Sequence, residues 1–235
     1  MEKNSGYNPG IHLLYKNLGE TPNERILRFK IDNPEYKEVS MTYAGRLDPM
    51  AEGLLLVLSG DAISEKEKYL SQHKSYLVDI MWGFETDTLD ILGMVTNKTD
   101  NYPDESRIKN YLEKSIGIFE QEYPAYSSKP VSGKSLFEWA REGRLNEIQI
   151  PKHEIEVLAA DFVSREHDLG HILLESVISK IGKVKGDFKQ REIIERWNHF
   201  LTIGGQKKFA RDSISLTGSS GFYVRQFVSD MAKSF

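Results

Sequence analysis

One short segment constrains what this chain can fold into more than any other: residues 43–54, which read YAGRLDPMAEGL. Two glycines, a proline and an aspartate form a predicted loop there, and it runs directly into the apolar stretch of residues 54–59. Glycine permits a tight backbone path, and the proline that follows Asp48 holds that aspartate in an extended conformation. An aspartate anchored beside a buried strand can be a preorganised reactive carboxylate. A turn aspartate that satisfies its own backbone is the simpler interpretation, and local pattern alone favours it.

Composition narrows the class of protein. The 235 residues are 39% hydrophobic and 28% charged, which is typical of a soluble globular protein with one large or two small domains. The absence of cysteine excludes disulfides, thiolate zinc sites and a cysteine nucleophile. The N-terminal residues lack the apolar run of a signal peptide, and the longest apolar stretch, Leu54–Leu58, is too short to span a bilayer. We therefore expect a cytoplasmic protein.

Hydrophobic periodicity predicts an α+β fold. Apolar or alternating runs bounded by turn residues predict strands at residues 10–16, 54–59, 76–82, 155–163, 171–178 and 213–216. The triplet Asp168-Leu169-Gly170 is typical of a hairpin turn between the fourth and fifth of these strands. Helices are predicted from the start signal Thr21-Pro22-Asn23-Glu24 and at residues 64–72, 106–116, 192–201 and 224–231. Hairpins mixed with separate helices indicate a mixed, largely antiparallel sheet flanked by helices.

Charge is distributed unevenly along the chain. The formal net charge of −4 argues mildly against a nucleic-acid-binding protein, whose surface usually carries a basic patch. Residues 180–211, however, contain nine basic and three acidic side chains, a local charge of +6 that leaves −10 for the rest of the chain. Two interpretations stay open: a basic surface that faces phosphates on an otherwise acidic protein, or a solvated lysine-rich excursion.

The segment that holds Asp48 closely resembles the signature loop of the TruB family of RNA pseudouridine synthases, Gly-x-Leu-Asp-Pro-x-Ala-x-Gly-x-Leu. Seven positions meet this pattern with its spacing: Gly45, Leu47, Asp48, Pro49, Ala51, Gly53 and Leu55. Four further blocks resemble family motifs and occur in family order: Lys74-Ser75-Tyr76; Thr86-Asp87-Thr88-Leu89-Asp90 with Gly93; Tyr126-Ser127 with Gly133 and residues 136–143; and Gly221-Phe222-Tyr223-Val224-Arg225.

The resemblance implies a role for each matching residue of the site. Asp48 is the implied nucleophile, which adds covalently to the target uridine so that the base can detach, turn and rejoin through carbon. Arg225 is similar to the family arginine that pairs with this aspartate and keeps it ionised. Tyr76 would stack on the flipped base, with a proton-transfer role also open to it, and Tyr223 matches a tyrosine that lines the pocket. Taken alone, a helix arginine is more often a surface cation, and a tyrosine more often a core residue.

The family's activity sets the expected function: conversion of uridine to pseudouridine in structured RNA, with the T-arm of tRNA (position 55) as the implied target. The expected partner is therefore RNA, and no membrane is implied. The resemblance implies neither a metal nor an organic cofactor, and the six histidines are scattered singly rather than clustered as a ligand set. A monomer is the default expectation for the oligomeric state.

The chain departs from the family pattern at several positions. Tyr43 stands where many TruB-like enzymes carry a histidine; a tyrosine can still stack there, but it offers no cationic donor at neutral pH. Arg46 replaces a small residue beside Asp48 and predicts a bulkier or more basic pocket entrance. In Lys16-Asn17-Leu18-Gly19, the family's Lys-Pro-x-Gly loses its proline.

We expect a single TruB-like catalytic domain over residues 1–235, with a basic insertion at about residues 181–209 between two sheet strands. Family members commonly continue into a small C-terminal RNA-binding domain, which is not recognised here. Residues 180–211 are therefore predicted to substitute in part for the RNA-binding surface of that domain. These departures keep open a catalytically weak or inactive TruB-like protein that binds or folds RNA. An unrelated acidic α+β interaction domain is a third interpretation, which requires the five ordered blocks to be coincidence.

Overall fold

The computed structural model describes residues 10–202 and 207–235, and the chain divides there into two compact units. The first unit combines the described part of Met1–Gln72 with Ile178–Phe188, and the second combines His73–Val177 with the described part of Lys189–Phe235. Every described strand pair is antiparallel, and the predicted α+β class is confirmed. The expectation of one catalytic domain stays a prediction, and residues 203–206 of the predicted insertion lie outside the described residues.

A three-stranded sheet organises the first unit. Its strands, in the spatial order β1-β3-β2, are β1 (Ile11–Lys16), β2 (Met41–Ala44) and β3 (Gly53–Ser59). Leu14 lies opposite Leu55, and both belong with Ile26 and Val57 to a small hydrophobic core. The strands predicted at residues 10–16 and 54–59 are therefore confirmed.

Helix α1 (Pro22–Asp32) supplies Ile26 to this core. The Thr21 hydroxyl accepts a hydrogen bond from the Glu24 N–H (3.2 Å), and the Glu24 carboxylate accepts one from the Thr21 N–H (2.8 Å). This reciprocal pair is the capping box that the Thr-Pro-Asn-Glu signal predicts. Between α1 and Gln72, the described helical elements are two 3-10 turns, Pro34–Tyr36 and Gly60–Glu65, and α2 (Lys66–Leu70). The polar helix predicted at residues 64–72 is therefore shorter than expected.

A four-stranded sheet organises the second unit. Its strands, in the spatial order β4-β11-β10-β7, are β4 (Lys74–Met81), β7 (Gly117–Glu122), β10 (Lys152–Leu169) and β11 (Lys208–Gly218). The sheet contributes seven residues to the main hydrophobic core: Ile80, Ile155, Val157, Ala160, Ala210, Ile214 and Leu216. Helices α3 (Glu105–Lys114) and α7 (Val224–Lys233) contribute Ile108, Leu112, Phe227 and Met231. These two helices confirm the ones predicted at residues 106–116 and 224–231.

Smaller elements complete the second unit. Two short antiparallel pairs are β5 (Phe84–Thr86) with β6 (Val95–Lys98), and β8 (Pro130–Val131) with β9 (Lys134–Ser135). They are accompanied by α4 (Leu136–Arg141) and by a 3-10 turn at Leu145–Glu147. Within the described ranges, the chain has no helix with the length and apolarity needed to cross a membrane.

The segment after β10 differs from the prediction. The hairpin predicted at Asp168-Leu169-Gly170 is wrong, because β10 continues to Leu169 and Gly170 begins helix α5 (Gly170–Ile181). Three residues are buried at the four-residue spacing of a helix face: Leu173, Val177 and Ile181. The β-branched residues of this stretch favour a strand, but burial of that face decides for the helix.

The predicted insertion is helical where it is described. Helix α6 (Gln190–Thr202) confirms the helix predicted at residues 192–201. Gly170 packs against the backbone near the end of α6. A glycine is required at this position, because an added Cβ would overlap the carbonyl oxygen of Leu201. Strand β11 begins at Lys208, so the last two residues of the predicted insertion belong to the sheet, and the strand predicted at residues 213–216 is longer than expected.

Candidate functional site

Asp48 lies in the loop of residues 45–52 that joins β2 to β3 in the first unit. The loop is bounded by Gly45 (φ 97°) and Gly53 (φ 136°), in backbone conformations that other residues rarely adopt. The Ala51 N–H donates to the Asp48 carbonyl (3.0 Å), and the Gly19 N–H donates to the carbonyl of Pro49 (2.8 Å). The backbone next to the half-buried Asp48 side chain is therefore fixed by hydrogen bonds.

Lys16, the last residue of β1, is fully buried near this loop. Its ammonium donates hydrogen bonds to the backbone oxygens of Asn17 (3.2 Å) and Glu20 (2.7 Å). Burial lowers the pKa of Lys16, and nearby carboxylates, that of Asp48 among them, oppose this effect. The first unit thus places a buried basic group within electrostatic reach of Asp48.

Tyr43 and Arg46 lie just before Asp48. The ring of Tyr43 is half-buried and packs against the hydrophobic core of the first unit, and Lys66 Nζ lies 6.0 Å from its centroid. Arg46 is exposed. The structure therefore gives Tyr43 a packing role, and its stacking on RNA stays a prediction.

Tyr76 lies on β4 in the second unit, opposite Leu216 of β11. Its half-buried ring meets that of Phe222 edge to face, with 6.4 Å between the centroids, at the border of the main core. Burial alternates along β4 although hydrophobicity does not, because Leu77 is 73% exposed on the outer face. Tyr76 therefore belongs to the inward-facing side of the strand.

Tyr223 caps the N-terminus of α7 and is clamped by the side-chain amide of Gln121. The Tyr223 N–H donates to Gln121 Oε1 (2.8 Å), and Gln121 Nε2 donates to the Tyr223 carbonyl (3.0 Å). The Tyr223 ring packs edge-on against Tyr123 (5.6 Å between centroids) and His153 (6.0 Å). Both the backbone and the ring of Tyr223 are thereby oriented.

Arg225 lies in the first turn of α7 and reaches the loop between β5 and β6. Its Nη1 donates to the Thr88 carbonyl (2.5 Å) and its Nη2 to the Tyr126 carbonyl (3.4 Å). Its Nε lies 3.8 Å from a carboxylate oxygen of Asp90. A guanidinium suits this arrangement, since its donors form a rigid planar fork.

The loop that meets Arg225 is fixed by its own side chains. Asp90 Oδ1 accepts hydrogen bonds from the Thr88 hydroxyl (2.7 Å) and from the Leu92 N–H (3.0 Å). Gly93 packs so closely that an added Cβ would overlap Thr88 Oγ1. These contacts give a physical reason for the residue types in the Thr-Asp-Thr-x-Asp-x-x-Gly block.

Tyr126 connects this loop to the same arginine. Its hydroxyl donates to Asp87 Oδ2 (3.3 Å), while its carbonyl accepts from Arg225. Burial and then the negative charge of Asp87 raise the pKa of Tyr126. The hydroxyl therefore stays protonated at neutral pH and can keep donating.

The predicted site residues are found in both units. Asp48 and Tyr43 belong to the first unit, and Tyr76, Tyr223 and Arg225 belong to the second. The structure brings Tyr223 and Arg225 together at the start of α7. The pairing of Asp48 with Arg225 stays a prediction. Among residues 10–202 and 207–235, no group of three or more His, Cys, Asp or Glu side chains could hold a metal ion.

Sequence reasoning missed the buried state of Lys16 and the clamp formed by Gln121. The burial of Lys16 could have been predicted from the sequence, because Lys16 shares a face of β1 with the buried Leu14. The contact of Gln121 with Tyr223 could not, because the two residues are 102 positions apart and a single glutamine carries no local signal.

Comparison with known proteins identifies a family profile and relatives that resemble this chain. The profile of the TruB family pseudouridylate synthases (N-terminal domain) matches residues 35–182, more than half of the chain. A relative named tRNA pseudouridine synthase B, from Caldicellulosiruptor saccharolyticus, is 31% identical over 155 residues, which are 66% of this chain and 52% of the relative. Its namesake from Borreliella afzelii is 31% identical over 158 residues, which are 66% of this chain and 55% of the relative. The chain spans about half the length of these curated relatives.

A solved structure is similar over nearly the whole chain. A chain in the crystal structure of a Cbf5-Nop10-Gar1 complex superposes with a TM-score of 0.53 at 14% identity, over 96% of this chain and 44% of that chain. At this identity the similarity concerns the fold alone, and it agrees with the α+β architecture. The sequence profile carries the assignment, because it covers more than half of the residues and includes the Asp48 loop: the chain belongs to the TruB family of pseudouridylate synthases.

Proposed function

We propose that this protein is an RNA pseudouridine synthase that isomerises uridine to pseudouridine in structured RNA, at position 55 in the T-arm of tRNA. One observation carries the proposal: Asp48 lies in a glycine-bounded, hydrogen-bonded loop inside the residues that match the family profile. The names of the relatives support the reaction and the RNA class. Because the chain spans about half of their length, the activity is proposed for this chain rather than transferred.

The proposed reaction is an isomerisation, so its atoms balance without a co-reactant. The Asp48 carboxylate adds covalently to the uridine, and the bond between N1 of the base and C1′ of the ribose breaks. The base turns, a bond forms between its C5 and C1′, and the carboxylate is released. C5 loses its proton and N1 gains one. The reaction therefore needs no redox cofactor, and the family resemblance implies no metal.

Each remaining site residue has a proposed role. Because a uridine within folded RNA must leave its stack before its glycosidic bond is accessible, Tyr76 is proposed to stack on the flipped base. Tyr223, with its ring oriented by Tyr123 and His153, is proposed to line the pocket. Arg225 is proposed to keep the reacting carboxylate ionised, and Tyr43 to contact the RNA beside it.

The proposal is tested with an unmodified tRNA transcript that carries tritium at C5 of its uridines, because the reaction releases that label to water. The wild type is expected to release it, and Asp48→Asn is expected to release none, since an amide is a far weaker nucleophile than a carboxylate. Asp61→Asn, an exposed aspartate of the same unit, is the matched control and should keep wild-type activity. Release by Asp48→Asn at the wild-type rate would exclude the proposed nucleophile.

A second candidate function is a TruB-like protein that binds or folds RNA without modifying it. It is favoured by Tyr43, whose half-buried ring packs against the core of the first unit at the position where many TruB-like enzymes carry a histidine. The same assay separates the two functions. Binding of the transcript without label release from any structured RNA would support this candidate and reject the synthase.

A further inference from the structure

Gly19 lies in a turn of residues 17–20 between β1 and α1 and is buried. On one side, its N–H donates to the carbonyl of Pro49 (2.8 Å), the residue next to Asp48. On the other side, it packs against the backbone of Lys183. All four residues belong to the first unit. The turn is therefore held between the Asp48 loop and the segment that follows α5.

The contact between Gly19 and Lys183 leaves no room for a side chain. A Cβ added to Gly19 would overlap the Lys183 carbonyl oxygen and lie 2.8 Å from the Lys183 Cβ. Gly19 also has a φ of 84°, which residues with a Cβ rarely adopt. Two backbones are thus in direct contact at this point, and glycine is the residue that permits it.

The turn is held by polar contacts where the family pattern has a proline. Asn17 stands at that position, and its N–H donates to the Glu20 carboxylate (3.0 Å). Lys16 Nζ donates to the backbone oxygens of Asn17 and Glu20. An asparagine does not fix φ as a proline ring does, so the turn depends more on its neighbours for rigidity.

The segment of residues 182–184 that follows α5 is itself anchored, so it can support the turn that contains Gly19. Its backbone is wound by hydrogen bonds from Lys183 N–H to the Lys180 carbonyl (3.2 Å) and from Val184 N–H to the Ile181 carbonyl (3.0 Å). Ile181 is 0% and Val184 7% exposed. Lys183, Val184 and Gly19 all lie outside residues 35–182, the span that matches the family profile.

We propose that the backbone of Lys183 is a positioning element for catalysis: it fixes Gly19, and Gly19 fixes the carbonyl of Pro49 beside Asp48. The inference rests on the proposed function, since it assigns a task to the segment after α5 in that reaction. A nucleophile reacts efficiently only when it is held in the attacking geometry, and a displacement of about 1 Å can lower the rate about 100-fold.

Gly19→Ala tests the contact directly. Its methyl group has to displace the Lys183 backbone, so we expect kcat for label release to fall by about 10- to 100-fold with KM for RNA close to the wild-type value. Gly133→Ala is the matched control. Gly133 has the same φ of 84°, but a Cβ there meets no atom within 4 Å. This control should keep both kinetic constants.

Two further variants keep the test valid if Gly19→Ala fails to fold. Val184→Ala loosens the segment without touching Gly19 and should lower kcat by a smaller factor, again at constant KM. Lys183→Ala keeps the backbone carbonyl, so hydrogen–deuterium exchange in residues 45–52 should stay at the wild-type rate, which separates the backbone contact from the lysine charge. Hydrogen–deuterium exchange of residues 45–52 is the second readout, and it should be faster in Gly19→Ala and Val184→Ala than in the wild type.

The outcomes are distinguishable. A lower kcat at constant KM, with faster exchange in residues 45–52, supports the inference. Unchanged kcat and exchange in both variants overturn it, and so does a rise in KM alone, which would make the turn an RNA contact. If the wild type releases no label, the proposed function fails on its own. The exchange data then decide whether Lys183 and Gly19 hold the loop.

Discussion

At the scale of single residues, Arg225 is the site residue whose contacts depend most on side-chain chemistry. Its two terminal nitrogens bind the carbonyls of Thr88 and Tyr126, and its Nε approaches Asp90. These acceptors come from separate stretches of the second unit. A lysine ammonium presents its donors from one atom and cannot reach all three positions.

We therefore expect Arg225→Lys to lower both turnover and stability. Loss of hydrogen bonds to half-buried acceptors should reduce the free energy of unfolding by about 1–3 kcal/mol, and label release should fall because the proposed electrostatic support of the nucleophile is altered. Thermal unfolding and the tritium assay measure the two effects. Arg191→Lys is the control, because that arginine is 89% exposed and pairs only with Glu195 among its described partners. Equal stability of both variants would show that the Arg225 contacts are not structural.

At the scale of elements, β10 and β11 are joined by a buried ion pair. Arg165 and Asp212 lie directly opposite each other in the strand register. Arg165 donates to both carboxylate oxygens of Asp212 (2.7 and 2.8 Å), and Trp82 Nε1 donates to the same carboxylate (2.6 Å). Asp212 is fully buried, and its hydrogen bonds raise the pKa of Arg165. Arg165 thus compensates the negative charge of Asp212, which would otherwise be buried in the sheet without a counter-ion.

Asp212→Ala should destabilise the second unit strongly, by about 3–5 kcal/mol, because it leaves the buried Arg165 charge without its carboxylate counter-ion. The double variant Arg165→Met with Asp212→Leu removes both charges and should recover most of that loss. Chemical denaturation of the three proteins measures the differences. If the double variant is as unstable as the single one, packing rather than the unpaired charge accounts for the effect.

Elements whose signals are local could be predicted from the sequence. The start of α1 is an example, since Thr21 and Glu24 cap it within four residues. The structure of residues 168–181 could not, because Asp-Leu-Gly and β-branched residues favour a hairpin, and only burial of Leu173 and Val177 decides for a helix. The same difference holds at the site. Glycines and a proline next to Asp48 predict its loop, whereas the contact of Arg225 with Thr88 joins residues 137 positions apart.

At the scale of the whole molecule, the structure shows which basic residues of the chain are paired with groups of the protein. Residues 180–211 carry a local charge of +6 on a chain of net charge −4. Among the residues that the structure describes, at least five of the nine basic residues contact groups of the protein itself: Lys185 with Glu24, Arg191 with Glu195, Arg196 with the Val95 carbonyl, Lys207 with Asp100, and Arg211 with Asp168 and Glu166. The exposed side chains of Lys183 and Lys208 are therefore the stronger candidates for phosphate contacts.

This distribution makes RNA binding by the segment testable. Reversing Lys183, Lys185, Lys207 and Lys208 to glutamate should weaken tRNA binding and lower the slope of log affinity against log salt. The slope should decrease by about 0.7–0.9 for each phosphate that the variant no longer neutralises. The control reverses four lysines elsewhere that are likewise partly paired: Lys68, Lys109, Lys114 and Lys233. Because both variants change net charge equally, a smaller slope in the first alone locates the phosphate-binding lysines in the segment. Equal slopes in both would mean that bulk charge accounts for the effect, and the segment would then serve the catalytic loop through its backbone rather than RNA through its lysines.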